Sequence, residues 1–270
     1  MSSKYIGIFD SGLGGLTAVK ELMHLLPKEP IVYFGDTGRV PYGSKSNETI
    51  IKYTKSDIRF LNTFDLKLII VACGTASTIA LPEVSDALNI PIFGVVDAAA
   101  KAAVAATKNK RIGIIGTAGS IRSGAYERKI KEADGGIFTV SNPCPLFVPL
   151  VENGFTDGEV AHLVAREYLE PIKEAGVDTL ILGCTHYPLL ANTIRNIMGD
   201  GVTLIDPGTV TAEFVKGYLE VNNLLCRESK ENQYRFFVSD CPDDFAMLGA
   251  RFMQQEIPGG VEKIDIEEYM

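Results

Sequence analysis

Continuous apolar runs, rather than alternating ones, are the feature that most constrains the fold of this chain. Such runs lie at Tyr5–Phe9, Ile31–Phe34, Leu68–Ala72, Pro91–Val96, Arg111–Ile115, Thr179–Leu182, Val202–Ile205 and Tyr234–Val238. A strand covered on both faces needs apolar side chains at successive positions, which is typical of parallel strands between helices. Helix-length segments separate the runs, so the sequence predicts an α/β fold with parallel sheets and right-handed crossovers.

The segments between these runs have a helical periodicity of their own. From Glu159 to Ala175, the apolar residues Val160, Leu163, Val164 and Tyr168 fall on one helical face. A stripe of this kind predicts an amphipathic helix that packs through that face. The alternation of such helices with the apolar runs supports the α/β assignment.

Three segments of the first half resemble three segments of the second, in the same order and at nearly the same spacing. The pairs are IGIFDS at 6–11 with IGIIGT at 112–117, LIIVAC at 68–73 with TLILGC at 179–184, and GVVD at 94–97 with TLID at 203–206. Any two α/β units share strand-then-turn patterns. The coincidence of Cys73 with Cys184 nevertheless favours a duplication, and therefore two similar doubly wound half-molecules.

The domain boundaries follow from this duplication and not from any linker-like composition. The alanine-rich stretch at 98–106 is typical of a well-formed helix rather than a tether. A second crossing is expected at residues 206–208, with the last stretch returning to the first domain. We therefore predict a first domain of residues 1–97 plus 207–270 and a second of residues 98–206.

Composition and charge exclude several classes of protein. Hydrophobic residues make up 46% of the chain and charged residues 22%, as in ordinary globular proteins. The net charge of −8 argues against general binding to nucleic acids or anionic membranes, because both need basic patches. Neither a signal peptide nor a membrane span is expected from the pattern of apolar runs. The five scattered cysteines favour free thiols in the cytoplasm over disulfides.

Two cysteines occupy equivalent places in the two halves. Cys73 and Cys184 each follow a predicted strand, at the sheet edge where open α/β folds bind ligands. Each is also expected at the start of the next helix, whose partial positive charge favours thiolate over thiol. A single free cysteine is often only a small core residue. Two at equivalent positions favour a catalytic pair.

Asp10 and His186 are candidates for handling protons beside these thiols. Asp10 ends the first predicted strand, and His186 lies shortly after Cys184 with a side chain that ordinarily titrates near neutrality. Asp10 is also compatible with capping the following helix, and His186 with a packed or capping role.

Two loops could bind a carboxylate. The glycine-rich turn at 10–15 is not a dinucleotide fingerprint, because Thr17 stands at the third glycine position. It could still form a nest of backbone amides that holds an anion. The segment Pro41–Ser44 is a turn by composition, and it could present amides and the Tyr42 phenol to a carboxylate or be only a loop.

Other site chemistries are not supported by the residues. Cys184-Thr185-His186 is too sparse for a zinc site and has no second cysteine pair. A cysteine phosphatase loop would need arginine where Ile79 stands, and no lysine follows a P-loop glycine run. We therefore predict no metal site and no cofactor.

Several longer motifs run in order along most of the chain. They are D-S-G-L-G-G-L-T at 10–17, Y-F-G-D-T at 33–37, P-Y-G at 41–43, A-C-x-T-A-S at 72–77 and G-C-T-H-Y-P-L-L at 183–190. Together they resemble the glutamate racemase family, and the last is the most specific. The resemblance implies two α/β domains related by a pseudo-twofold axis, with the active site in the cleft between them. It also implies a cofactor-independent isomerase that supplies D-glutamate for peptidoglycan synthesis.

The resemblance further implies roles for individual residues. Cys73 and Cys184 would be the two acid/base residues, with Asp10 and His186 beside them as further catalytic groups. Substrate contacts are implied at Asp10, Ser11, Tyr42, Gly43, Gly74, Thr75, Glu152, Thr185 and His186. The implied partner is the small molecule glutamate. The sequence does not set the oligomeric state, and a homodimer stays open.

One position departs from the family pattern. The first cysteine motif commonly reads C-N-T, whereas this chain has Cys73-Gly74-Thr75. The missing side-chain amide removes a hydrogen bond worth about 0.5–1.5 kcal/mol, unless a backbone N–H or water replaces it. On the sequence alone, the substitution Gly74→Asn is therefore expected to strengthen substrate binding.

Racemisation explains why two opposed thiols would be needed. A proton must leave one face of the α-carbon and another must arrive on the opposite face, and a duplicated fold can supply both groups. The resemblance suggests that Cys73 takes the proton from D-glutamate and Cys184 from L-glutamate. The alternatives are an aspartate racemase, a one-cysteine decarboxylase and a small-anion binding protein without catalysis.

Overall fold

The structure, a computed structural model, describes residues 4–229 and 233–270 and contains two parallel sheets. The strands are β1 (Tyr5–Asp10), β2 (Ile31–Gly35), β3 (Leu66–Val71), β4 (Ile92–Gly94), β5 (Arg111–Gly116), β6 (Phe138–Pro143), β7 (Thr179–Gly183), β8 (Thr203–Ile205), β9 (Tyr234–Val238) and β10 (Val261–Lys263). Sheet A has the order β10-β9-β2-β1-β3-β4, and sheet B has the order β6-β5-β7-β8. The predicted α/β class with parallel sheets is confirmed.

The helices lie between and around these strands. They are α1 (Leu16–Leu25), α2 (Asn47–Leu61), α3 (Gly74–Ile79), α4 (Leu81–Val84), α5 (Val95–Ala106), α6 (Ala118–Ser123), α7 (Ala125–Ala133), α8 (Phe147–Glu152), α9 (Gly158–Glu174), α10 (Ala191–Met198), α11 (Pro207–Val221) and α12 (Pro242–Met253). Among the residues described, no helix is long and apolar enough to cross a bilayer.

The two sheets share one strand order. In sheet A the strands β2-β1-β3-β4 are neighbours in that sequence, and β6-β5-β7-β8 repeat it in sheet B. This is the arrangement that a duplication would produce. After sheet B is complete, the chain returns to sheet A, where β9 pairs with β2. The division at 97/98 falls inside α5 and that at 206/207 at the start of α11, and these boundaries stay a prediction.

The strand predictions differ from the structure at the sheet edges. The run Pro91–Val96 contributes only Ile92–Gly94 to sheet A, because Val95 and Val96 already belong to α5. Ser77 Oγ accepts a hydrogen bond from the Val95 amide at 3.2 Å and so helps to turn the chain out of the sheet. The edge strands β6 and β10 were not predicted, because their side chains are only partly covered and their sequences are not continuously apolar.

The predicted face of α9 is correct in part, since Val164 and Tyr168 are partly buried and pack against the core. Val160 and Leu163 are 52% and 58% exposed, whereas Ala161, Ala165 and Leu169 are fully buried. The fully buried stripe therefore combines alanine in the first half of the helix with Leu169 and Ile172 in the second. Periodicity predicted the helix but not which of two neighbouring stripes faces inward.

Helix α11 connects the two halves. It packs on α1 beside sheet A and on α5 beside sheet B. Asp206 caps its first turn by accepting a hydrogen bond from the Gly208 amide at 2.8 Å, and Pro207 stands at the first helical position. The carboxyl ends of β1, β3, β5 and β7 meet at the cleft between the sheets.

Candidate active site

A cleft of about 660 Å³ lies between the two halves, within the size range of small-molecule sites. Its walls come from the segments after β1, β2 and β3 on one side and after β5, β6 and β7 on the other. The predicted residues that line it are Ser11, Tyr42, Gly43, Cys73, Gly74, Thr75, Glu152, Cys184, Thr185 and His186. Asp10 is buried beside the cleft with 1% of its surface exposed.

Cys73 lies where sequence reasoning placed it, between β3 and α3. Its sulfur accepts a hydrogen bond from the Ala76 amide at 3.5 Å, so the thiol caps the helix. It also donates to Ser11 Oγ at 3.5 Å. Burial and the nearby Asp10 carboxyl raise the pKa of Cys73 to about 12, although hydrogen bonds from Ser11 and Ala76 oppose this. At neutral pH the side chain is therefore a thiol.

Cys184 follows β7 but does not start an α-helix, contrary to expectation. A 3₁₀ turn at Tyr187–Leu190 comes next, and α10 begins only at Ala191. Pro188 in this turn lacks an amide hydrogen, which favours the short turn over immediate α-helix. The charge beside Cys184 comes instead from His186, whose Nδ1 lies 3.9 Å from the Cys184 sulfur.

His186 connects this sulfur to an acidic residue. Its Nε2 lies 3.0 Å from Glu152 Oε1, and only 7% of the histidine is exposed. Burial lowers the pKa of His186, but hydrogen bonds to Cys184 and Glu152 and their negative charges outweigh it and bring the pKa to about 10. At neutral pH the ring is therefore an imidazolium that can donate at both nitrogens.

Asp10 is not a helix cap, because Gly15 occupies the position before α1. Its Oδ2 accepts from the Gly12 amide at 2.9 Å. Its Oδ1 is buried and has no partner among the described residues. Burial raises the pKa of this carboxyl, opposed by the charge of His186 and by backbone amides. Asp10 thus stands next to Cys73 as His186 stands next to Cys184.

The Tyr42 phenol is held in a buried cluster, and a contact of Tyr42 with substrate stays a prediction. The phenol donates to Asp36 Oδ2 at 2.6 Å and lies 2.9 Å from Asp57 Oδ2. Arg39 completes this buried cluster through Asp36 at 2.7 Å and Asp57 at 2.7 Å. Tyr42 therefore anchors the loop whose backbone, with Gly43, forms the cleft wall.

Counting protons shows that Asp57 is a neutral acid. The single Tyr42 hydrogen is used on Asp36, so the contact with Asp57 Oδ2 is satisfied only if that oxygen donates. Two buried carboxylates would also exceed the one charge of Arg39. Burial and the charge of Asp36 raise the pKa of Asp57 well above its usual range, in agreement with this count.

Replacing Asp57 by asparagine is expected to leave stability at acidic pH nearly unchanged and to raise it at neutral pH, because only the acid must recover a proton on folding. The amide can accept from Arg39 and donate to Tyr42, as the neutral acid does. Folding raises the pKa of Asp57 above its ordinary value of 3.8. The contribution of the neutral carboxyl to the free energy of unfolding is therefore complete below pH 3.8 and is lost as pH rises through the folded pKa. Urea unfolding should show this decline, at most about 1.4 kcal/mol per pH unit, in the wild type and not in Asp57→Asn.

Asp36→Asn is the matched comparison for this experiment. It removes the carboxylate that balances buried Arg39 and should cost about 3–5 kcal/mol. Equal destabilisation by Asp36→Asn and Asp57→Asn would contradict the assignment of the proton.

Hydroxyl groups join the two walls of the cleft. Thr75 Oγ1 lies 3.0 Å from Thr117 Oγ1 on the opposite wall, and Thr17 Oγ1 donates to the Thr185 carbonyl at 3.4 Å. Thr117 was missed as a site residue, although the internal repeat aligns it with Ser11. Arg122, an exposed cation that also lines the cleft, had no sequence signal. No cluster of metal-ligating side chains occurs within 4–229 and 233–270.

Comparison with known proteins identifies the class to which this fold and cleft belong. Residues 18–215 match the family described as Asp/Glu/Hydantoin racemase. A glutamate racemase of Geobacter metallireducens is 48% identical over 99% of this chain and 98% of its own length. The chain is therefore an amino-acid racemase, an isomerase.

Solved structures agree with this assignment. Glutamate racemase isoform RacE1 of Bacillus anthracis superposes with a TM-score of 0.94 at 36% identity, over 98% of each chain. The enzyme of Francisella tularensis, solved in complex with D-glutamate, gives 0.92 at 40% identity over 100% of each chain. The chain belongs to the Asp/Glu/hydantoin racemase family, among its glutamate racemases.

Proposed function

We propose that this enzyme interconverts L- and D-glutamate by proton transfer between Cys73 and Cys184, without a cofactor. The observation that carries the proposal is the position of these thiols. They close β3 and β7, which are equivalent strands of the two sheets, and both line one cleft. A substrate held there has one thiol from each half of the molecule beside it.

In the proposed reaction, Cys184 removes the α-proton of L-glutamate and Cys73 donates a proton to the other face. The reverse reaction exchanges these roles. The starting state for L-glutamate thus needs Cys184 as thiolate and Cys73 as thiol, and burial keeps Cys73 protonated. His186, charged at neutral pH, can donate a hydrogen bond to a Cys184 thiolate from 3.9 Å.

Asp10 serves Cys73 in the same scheme. Its buried Oδ1 has no partner within the described chain, and its raised pKa favours a protonated carboxyl. Such a group can donate to a Cys73 thiolate in the D-to-L direction. Each sulfur is then paired with one proton-holding residue from its own half, which follows the duplication.

Glutamate would be held mainly by hydroxyl and backbone amide donors, with Arg122 and the charged His186 as cations among the residues that line the cleft. Ser11, Thr75 and Thr185 would supply hydroxyls, and the loop at Gly43 would supply backbone amides. Oriented donors of this kind stabilise the carboxylate and the negative charge that develops as the α-proton leaves. Glutamate is the proposed substrate because the relatives are glutamate racemases and the Francisella enzyme binds D-glutamate.

The test is turnover of L-glutamate after exhaustive dialysis against chelator, without pyridoxal phosphate, followed by circular dichroism. We expect the signal to decay to zero, since the equilibrium mixture is racemic. Restoration of activity only by a metal or pyridoxal phosphate would refute cofactor independence. Binding without turnover would indicate the non-enzymatic alternative, and faster turnover of aspartate would indicate an aspartate racemase.

We further propose that the product serves peptidoglycan synthesis in the cytoplasm. The family resemblance supports this role, and all five cysteines are free, as suits a reducing compartment. Expression of the gene should relieve the growth requirement of a D-glutamate auxotroph. Failure of an expressed and active enzyme to do so would argue against the role.

A further inference from the structure

The two thiols are separated by a contact between glycine backbones. Gly74, the residue after Cys73, is the first residue of α3. A Cβ atom at this position would lie 2.7 Å from the carbonyl oxygen of Gly183, the residue before Cys184. That distance is well inside van der Waals contact, so even alanine does not fit without movement.

The obstacle at Gly183 is fixed in place. Gly183 is the last residue of β7 and pairs with Gly116 of β5. A Cβ on Gly183 would itself meet the Ile115 carbonyl oxygen at 2.7 Å and the Tyr126 ring at 3.1 Å. The sheet and the buried tyrosine therefore hold this carbonyl, and relief of a clash at Gly74 has to come from the opposite wall.

Other close approaches across the cleft differ in what they meet. A Cβ at Gly43 would lie 2.9 Å from the Thr117 Cβ, which belongs to a side chain in a loop. A Cβ at Gly119 would lie 3.2 Å from the Gly43 carbonyl oxygen, a looser approach than the 2.7 Å at Gly74. Among the described glycines, Gly74 therefore makes the tightest approach to backbone across the cleft, and the carbonyl that it meets is held within a strand.

We propose that the Gly74–Gly183 contact sets the separation of Cys73 and Cys184, which makes Gly74 a positioning residue for racemisation. The proposal rests on the two-thiol mechanism above. A side chain at position 74 holds α3 away from β7 and carries Cys73 with it. One thiol still reaches the substrate, while the second is too far away to complete the inversion. The packing thus reverses the sequence expectation that Gly74→Asn strengthens binding.

The test compares two rates in deuterated water for Gly74→Ala and Gly74→Asn. One is racemisation of L-glutamate, and the other is deuterium uptake into the L-glutamate that remains. A displacement of about 1 Å can cost about 10²-fold, and we expect racemisation to fall by that order. Deuterium uptake should persist, because the nearer thiol can remove a proton and return a deuteron on the same face. The ratio of the deuterium-uptake rate to the racemisation rate should therefore rise at least tenfold, and by about 10²-fold if uptake is unaffected.

Two glycine variants serve as controls. Gly113→Ala introduces a comparable clash, 2.7 Å from the Ile172 side chain, inside the second half and away from the cleft. It should lower stability without changing the exchange ratio. Gly201→Ala has nothing within 4 Å and should behave as wild type. If Gly74→Asn does not fold, Gly74→Ala, which adds a single methyl group, decides the question.

The proposal would be overturned if Gly74→Ala leaves the ratio of deuterium uptake to racemisation unchanged. This holds whether both rates stay normal or both fall together. Failure of the two-thiol mechanism gives a different result. In that case the wild-type enzyme itself would take deuterium into L-glutamate as fast as it racemises. If the wild-type enzyme shows no such uptake and Gly74→Ala does not alter the ratio of uptake to racemisation, only the positioning role of Gly74 is rejected.

Discussion

Replacing either Cys73 or Cys184 by alanine is expected to abolish racemisation from both enantiomers. In the proposed mechanism every turnover needs one thiolate base and one thiol acid, so the loss of either group stops both directions. The expected loss in kcat/KM is at least the ~10²–10⁴-fold typical of one acid–base group. Because the equilibrium constant is one, kcat/KM must fall equally for L- and D-glutamate, and circular dichroism from each pure enantiomer measures both.

Isotope content separates the two thiols more sharply than rates do. In deuterated water the wild-type thiol that reprotonates the substrate carries a solvent-derived deuteron. Early D-glutamate formed from L-glutamate should therefore be almost fully deuterated at the α-carbon, while the remaining L-glutamate stays mostly protonated. In Cys73→Ala, Cys184 alone remains, so deuterium should enter L-glutamate without inversion; Cys184→Ala should show the same for D-glutamate.

Cys144 offers a matched control for the two substitutions. It is also buried and follows a strand of sheet B, but it does not line the cleft. Cys144→Ala should keep near-wild-type kinetics. A Cys73→Ala variant with substantial racemase activity, together with deuterium uptake at the racemisation rate in wild type, would make the two-thiol mechanism untenable.

Substitution of His186 by asparagine should have the next largest effect, a loss of about 10²–10⁴-fold in kcat/KM. The neutral amide can fill part of the space but brings no positive charge to the Cys184 thiolate. The losses in kcat/KM for the two enantiomers must again be equal. The division of each loss between kcat and KM can differ for the two enantiomers. We expect kcat to fall more for L-glutamate, because Cys184 is the base in that direction.

The pH profile tests the same residue without removing it. The pKa of His186 is raised to about 10, so its charge is present across neutral pH and is lost as pH rises through that value. Activity should therefore fall on the alkaline side. Glu152→Gln removes a hydrogen bond and a negative charge that raise this pKa, and it should move the alkaline limb to lower pH with a smaller loss of activity than His186→Asn.

A second histidine–carboxylate pair provides the control for Glu152→Gln. His162 lies 3.1 Å from Asp157 on the surface, away from the cleft. Asp157→Asn should leave the pH profile unchanged. An alkaline limb that does not move in Glu152→Gln would show that another group controls it.

Much of the fold was predictable because buried parallel strands leave a direct mark on the sequence. The runs at β1, β2, β3, β5, β7 and β9 are predominantly apolar, and each was located within about two residues. The edge strand β6 contains Ser141 and Asn142 and is covered on fewer sides, so composition alone did not separate it from a loop. The fully buried stripe of α9 depended on its packing against neighbouring elements, which periodicity does not contain.

The sequence by itself determined which groups are candidates for the chemistry: two repeated strand-end cysteines, with Asp10 and His186 beside them. That information is local, since residue type and strand register place a side chain at a sheet edge. Only the tertiary structure decided which groups face the cleft. It turned the Tyr42 phenol into a buried cluster and brought Glu152 to His186. It also showed that Gly74 meets Gly183, because contacts between distant segments arise only when the two halves pack together.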